Sequence, residues 1–165
     1  MSHPLIGSKV DDVLTTANLL SSGKGFRLGQ RVQTYDGKQY VWCKNASSNA
    51  VYSVVQVDGA NFSVVGLTTT SAPTAEIVGV LQVAMASDEY GWVQVTGRTK
   101  IKVSGLCAKN IALWTTATAG QLDDATASTY MVQGINLLST NPSSTATALS
   151  AFILNPSILK RAGTA

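Results

Sequence analysis

The stretch "DEYGWVQVTGRTKIKVSG", residues 88–105, decides how the rest of the chain is read. Aromatic residues interleaved with cations can make a nucleic-acid surface, but strict alternation also describes a β-hairpin with one wet face. Gly97-Arg98 has the Gly-X form that suits a type II′ turn, which predicts Thr96 facing Thr99, Gln94 facing Ile101 and Trp92 facing Val103. One face of such a hairpin carries Tyr90, Trp92, Gln94, Ile101 and Val103. The other sets Val93 and Val95 opposite Lys102 and Lys100. The aromatics and the lysines then point apart, Trp92 goes to the core, and the Val/Lys face is expected to be a half-apolar docking surface on which lysine stems lie along the valines.

The same period of two runs outward in both directions. "RVQTYDGKQYVWCK" holds Asp36-Gly37 between alternating runs, a strong hairpin signal because a type I′ turn needs positive φ at both central residues. In that register Arg31, Gln33, Tyr35, Lys38, Tyr40 and Trp42 share one face, which reads either as the lining of a barrel or subunit contact or as a base-stacking groove. "VYSVVQVDGANFSVVGL" repeats the device at Asp58-Gly59, predicting Val57 opposite Ala60, Val55 opposite Phe62 and Ser53 opposite Val64. That face is almost wholly apolar and is expected in the core. Further strands are predicted at 76–85, 90–96, 99–104, 111–115, 130–138 and 148–154, with loops at 68–75 and 140–147. The expected fold is mainly β, a single compact β-sandwich or β-barrel of short antiparallel strands.

One segment departs from that pattern. In "SKVDDVLTTANLLSSGKG" the residues Val10, Val13, Leu14, Ala17 and Leu20 recur at helical spacing, Ser8 and Asp11 form a weak capping box, and Gly23 suits the end. Residues 1–25 are therefore expected to be an N-terminal arm with a short helix within 9–20, and 26–165 the β domain. Leu5 and Ile6 lie ahead of the helix as two apolar residues in a tail, suited to a frayed end or to an arm that orders on a partner.

Composition sets outer limits. At 165 residues the chain is long enough to bury roughly 70% of its unfolded surface without disulfides or metals. Only 13% of the residues are charged, about half the usual share, so the surface repels its neighbours weakly and suits packing against copies or a large partner. The net charge of +3 is mild, and its cations are scattered from Lys9 to Arg161 rather than clustered as in a dedicated nucleic-acid binder. Cys43 and Cys107 are expected as reduced, buried thiols. No basic region followed by an apolar run opens the chain, and "IVGVLQVAMA" at 77–86 is too short to span a bilayer, so a soluble, unprocessed protein with no membrane partner is expected.

Catalytic arrangements are sparse. The single histidine, His3, lies in the tail, which excludes Ser-His-Asp and Cys-His systems and His-containing zinc motifs; there is also no CxxC. Asp11-Asp12 and Asp123-Asp124 read as helix-start and turn chemistry. "GKGFRLG" at 23–29 lacks the preceding strand and the Lys-Ser/Thr of a phosphate cradle. A glycosidase built from two distant carboxylates stays open, with no pair singled out. No catalytic residue, cofactor, metal or small-molecule substrate is expected.

Three blocks, "FRLGQRVQTYDGKQYVWCKNAS", "DEYGWVQVTGRTKIKVSG" and "TATAGQLDDATASTYMVQGINLLSTN", resemble the small head-decoration, or capsid cement, proteins of tailed bacteriophages. The similarity runs over roughly residues 24–155, and its motifs are structural and of moderate specificity, since such modules also occur in tail and baseplate proteins. The resemblance implies a β-rich, non-enzymatic virion protein, made in the host cytoplasm and bound to the head exterior. Its implied partners are the major capsid protein and its own copies, most often as a trimer. The capsid-binding residues expected are Leu5, Ile6, Val10, Val13 and Leu14, from the composition of the arm alone, and Val93, Val95, Lys100 and Lys102, from the Val/Lys face. Competing readings are a tail or baseplate component, a nucleic-acid-binding β-barrel using Tyr35, Tyr40 and Trp42, and a carbohydrate-binding module with exposed Trp or Tyr.

Overall fold

In the computed structural model the described residues are 9–22, 26–126 and 130–160. Strands β1 (Arg31–Gln33), β2 (Gln39–Asn45), β3 (Val54–Val57), β4 (Ser63–Gly66), β5 (Ile77–Leu81) and β6 (Tyr90–Val103) form the first part of the fold. The pairings β2–β4, β4–β3, β3–β5, β5–β6 and β6–β2 close a five-stranded barrel, in which only β2–β4 is parallel. Closure removes free edges. It also encloses a core of Val41, Cys43, Val55, Val57, Val64, Leu81, Met85, Val93 and Val95. The fold is mainly β, as its alternation predicts.

The decisive stretch is one continuous strand, not a hairpin. β6 runs through Gly97 and pairs with β10 (Thr147–Lys160) from Thr96↔Leu154 to Val103↔Thr147 without a break. Gly97 has φ +104, so the glycine signal is real, but it marks an irregularity in the pairing with β2, where Gln39 meets Thr96 and Tyr40 meets Gln94. The buried Gln94 side chain holds this kink, its Nε2 donating to the carbonyls of Thr96 (3.0 Å) and Arg98 (3.1 Å). A turn signal is local; the long partner β10 supplies ladder bonds on both sides of Gly97 and overrides it.

Beyond the barrel, β6 continues into a second set of pairings. These run β6–β10–β9–β7–β8, with β9 at Tyr130–Leu137, β7 at Leu113–Thr115 and β8 at Leu122–Asp123, and return to β6 through Val103↔Leu122. The short β8 has no clear counterpart in the sequence pattern. Ile101, Val103, Cys107, Leu113, Leu122, Val132, Leu137, Ala151 and Ile153 fill the space between these strands. Strand β10 outruns its expected end because a bulge at Asn155 (φ 42) and Pro156 lets it resume pairing from Ser157↔Gln133 to Lys160↔Tyr130.

Both predicted hairpins exist in altered register. At Asp36-Gly37 the loop is three residues long, closed by Thr34 N–H to Lys38 O (2.9 Å) and Gly37 N–H to Thr34 O (3.0 Å), with Gly37 at φ +78. This is a type I turn with a left-handed glycine after it, and it pairs Gln33 with Gln39 instead of Tyr40. A slip of one residue reverses the faces. Val32, Tyr40 and Trp42 are buried on the side covered by the N-terminal segment, while Arg31, Gln33 and Tyr35 face water. At Asp58-Gly59 the loop extends to Ser63, because Asp58 and Asn61 side chains cap the backbone N–H groups of Ala60 and Ser63 (both 2.8 Å). The observed pairs are Val57↔Val64 and Val55↔Gly66. That shift is even, so the apolar face stays in the core; Phe62, and not Gly59, takes positive φ.

The N-terminal region is also revised. Helix α1 spans Thr16–Ser22, and Thr15 rather than Ser8 caps it, its Oγ1 accepting the Asn18 N–H at 3.2 Å. Leu14 precedes the helix as an isolated bridge to Tyr90, the two backbones exchanging bonds of 2.9 and 2.8 Å. Val10 is buried with Val32, Tyr40, Trp42 and Trp92, and Leu14, Leu19 and Phe26 pack around them. Residues 10–19 thus cover the outside of the barrel instead of standing off it as an arm. Leu5 and Ile6 lie outside the described residues.

Candidate functional site

The Val/Lys docking surface does not form. Val93 and Val95 are 0% and 1% exposed inside the barrel, each contributing about 1.5–3 kcal/mol by its burial. Between Tyr90 and Thr96 the strand is covered twice, by the barrel interior on one face and by the aromatic nest of Phe26, Trp42 and Trp92 on the other. Lys100 and Lys102 belong to the second half of β6, where Thr99, Ile101 and Val103 point inward and the even positions point out.

Those even positions belong to a three-stranded outer face. Directly opposed residues of an antiparallel pair share a face, so Arg98, Lys100 and Lys102 stand beside Phe152, Ser150 and Ala148 of β10, and Thr96 beside Leu154. Asn136 of β9 lies across from Phe152, and Leu138 bonds the Ser150 carbonyl through its N–H at 2.9 Å. Leu154 is 58% exposed, Phe152 43% and Leu138 37%. The face holds no carboxylate. Two ion pairs lie elsewhere, Lys38–Asp36 at 2.8 Å and Lys44–Asp88 at 2.7 Å. Lys100 instead lies over the Tyr52 ring, 5.7 Å from its centroid, a weak cation–π contact at an exposed site.

The sequence contains this face but does not announce it. "TALSAFILNPSILK" is apolar at odd and even positions alike, which reads as a strand buried on both sides. Before the bulge only the odd side, Ala151 and Ile153, is covered. Phe152, Leu154, Leu138 and Arg98 were accordingly not among the expected contact residues.

The other candidate groups are structural. Tyr40 and Trp42, the proposed base-stacking pair, are 2% and 1% exposed. Phe26, Trp42 and Trp92 pack with centroids 4.9–5.2 Å apart at steep interplanar angles, a favourable aromatic arrangement. Of the three residues of the nucleic-acid reading, Tyr35 alone is exposed. Cys43 and Cys107 are free and buried, as expected. Burial pushes the Cys43 thiol up to about 12; burial, with the Asp124 carboxylate adding to it, pushes Cys107 up to about 11. Thiols held protonated in this way are poor nucleophiles. Asp123 and Asp124 come within 4.8 Å of the Cys107 sulfur, but Asp124 is engaged in fixing a loop, accepting the Ala108 N–H at 2.8 Å. Where the β10 bulge meets the barrel, a cleft of about 300 Å³ opens between Arg31, Glu76, Val95 and Asn155. Lys44 is held above the usual lysine range by its hydrogen bond to Asp88 and the carboxylate's charge, and Asp88 is held below its own by the same contact.

No helix among the described residues is long and apolar enough to cross a membrane. No family model matches the chain, and no curated protein is significantly similar to it.

Proposed function

We propose that this protein is a non-enzymatic virion component that binds the outside of a tailed-bacteriophage head as an oligomer, a trimer by analogy with the proteins it resembles, and stabilises the shell. The observation that carries the reading is the outer face of β6, β10 and β9. An apolar row and a column of cations without carboxylates, left open on an otherwise closed β-barrel, is half of a protein interface. Low charge over the whole chain supports the same reading, because it lets copies and a large partner approach closely. Cementing then works by multivalency. Each contact can be weak, yet a closed oligomer that touches several capsid subunits gains effective concentration with every further contact. The N-terminal residues Leu5 and Ile6 are proposed to reach the capsid, since Val10 and Leu14 are occupied in packing on the barrel.

The test is decoration itself. Heads assembled without this chain, mixed with the purified protein and pelleted, should retain it at a fixed stoichiometry, and electron microscopy should show added density outside the shell. Protein left wholly in the supernatant overturns the reading. A tail or baseplate role rests on the same face and would show as retention by tails and not by heads. A nucleic-acid reading keeps only the Arg98–Lys102 column in its favour, and predicts salt-sensitive DNA binding in place of decoration.

A further inference from the structure

We infer that the cationic outer face of β6, β10 and β9 is the seat of a second copy of this chain, received head to tail through the acidic region around the Leu14–Tyr90 bridge. The inference builds on the proposed oligomer and assigns its contact surfaces.

The argument starts from what one copy leaves unsatisfied. Arg98, Lys100 and Lys102 project from alternate positions of one strand, about 7 Å apart, and no carboxylate stands on β6, β10 or β9 beside them. The exposed Phe152 and Leu154 lie along the same column. At the start of β6 the signs are reversed. The Leu14–Tyr90 bridge brings the exposed Asp11 and Asp12 to the same end as the exposed Asp88 and the half-buried Glu89, whose Oε2 accepts the Ala86 N–H at 2.6 Å. Among the described residues these four carboxylates lie with two ammonium groups, Lys9 and Lys44, and Lys44 is already bound to Asp88 at 2.7 Å. Val13, half-buried, sits among them and offers what remains uncovered of its side chain as apolar contact to Phe152 and Leu154.

The two poles are strung on a single strand. Tyr90 and Lys100 are ten residues apart on β6, which at about 3.3 Å per residue is roughly 33 Å. That is several Debye lengths at physiological salt, so the cations of one copy do not neutralise its own carboxylates. A neighbour's do. Because the two patches differ, the contact is heterologous, and repeating it closes a ring when the rotation between copies allows. The aliphatic Leu154 and Leu138 beside the cations favour a protein over a nucleic acid, which would need further aromatic platforms there. Lys100 and Lys102 are thereby given to a neighbouring subunit in place of the capsid.

The experiment is sedimentation velocity on the full chain at micromolar concentration, in about 50 mM and about 500 mM salt. Three variants are compared with wild type: Lys100→Glu/Lys102→Glu, Asp11→Lys/Asp12→Lys, and Phe152→Ser. Wild type should sediment as an oligomer at low salt and dissociate at high salt. Each charge-reversed variant should lose assembly at least tenfold in dissociation constant, and an equimolar mixture of the two should recover it, because each supplies the sign the other lacks. Phe152→Ser, which changes no charge, should weaken assembly at low salt and serves if a reversed variant does not fold. The inference is overturned if both reversed variants assemble like wild type, if their mixture recovers nothing, or if wild type is monomeric throughout. It is also overturned if a DNA duplex, added as a probe, binds wild type in a Lys100/Lys102-dependent way while no self-association occurs. Retention on heads is scored separately. An oligomer that assembles as described but fails to decorate counts against the proposed function and not against this interface.

Discussion

Strand β6 passes through two environments. From Tyr90 to Thr96 it has covering layers on both faces, valines inside the barrel and Trp92 in the aromatic nest outside it. From Arg98 to Lys102 it has one covering layer, and the uncovered side carries cations. Both halves alternate, yet only the second half alternates between wet and dry. Alternation therefore reports which residues share a face, and what lies over each face must come from the rest of the chain. Here that cover comes from residues 10–19 and Phe26, remote in sequence from β6.

The contrast makes its largest prediction at Trp92. Trp92→Ala should cost about 3–5 kcal/mol in urea unfolding, because the nest cannot collapse onto the space left. Lys102→Ala, on the same strand, should stay within about 0.5 kcal/mol. Similar losses at both positions would erase the distinction between the halves.

The junction comes next. Gly97→Val forces a β-branched residue to φ +104 and drives its Cβ into the stem of Lys38, and a cost on the order of 1–3 kcal/mol is expected from the backbone alone. Retention of wild-type stability would mean that the strand does not kink there.

A third prediction sharpens the account of the barrel half through Cys43. Its folded thiol is raised to about 12 from 9.0, so its contribution is fully present below pH 9 and is lost as pH climbs toward 12. The unfolded chain releases the proton first, and unfolding becomes favoured. At pH 10 the loss should be about 1–2 kcal/mol. The difference in melting temperature between wild type and Cys43→Ala should therefore change between pH 8 and pH 10; an unchanged difference would place the thiol in water. The smallest effect belongs to the outer face, where Leu154→Ser should leave unfolding within about 0.5 kcal/mol while weakening self-association.

Much of this was legible in the sequence, but unevenly. The β class, the buried Trp92, the apolar face shared by Val55, Val57 and Val64, and the two buried thiols follow from period and residue type. What failed were signals of short range. Asp36-Gly37 fits a two-residue or a three-residue loop, and the choice decides whether Arg31 and Tyr35 or Val32 share a face with Tyr40 and Trp42. Gly97 announces positive φ without saying whether the chain turns or kinks. Val10 and Leu14 fit a helical stripe, but the pairing of Leu14 with Tyr90 extends that segment and delays the helix to Thr16. The outer face stayed hidden for the opposite reason: β10 is apolar on both sides, and nothing local reveals that only one is covered.

Everything assigned to the outer face depends on β6 being one strand, and hydrogen exchange of residues 90–103 tests that most directly. As a continuous strand, the amides bonded to β10 beyond Gly97 should exchange only as slowly as the barrel amides before it, through global unfolding. Rapid exchange at Gly97 and Thr99, whose amides face β10, would mark an exposed hairpin turn, contradict the account and return Val93 and Val95 to the surface beside Lys100 and Lys102.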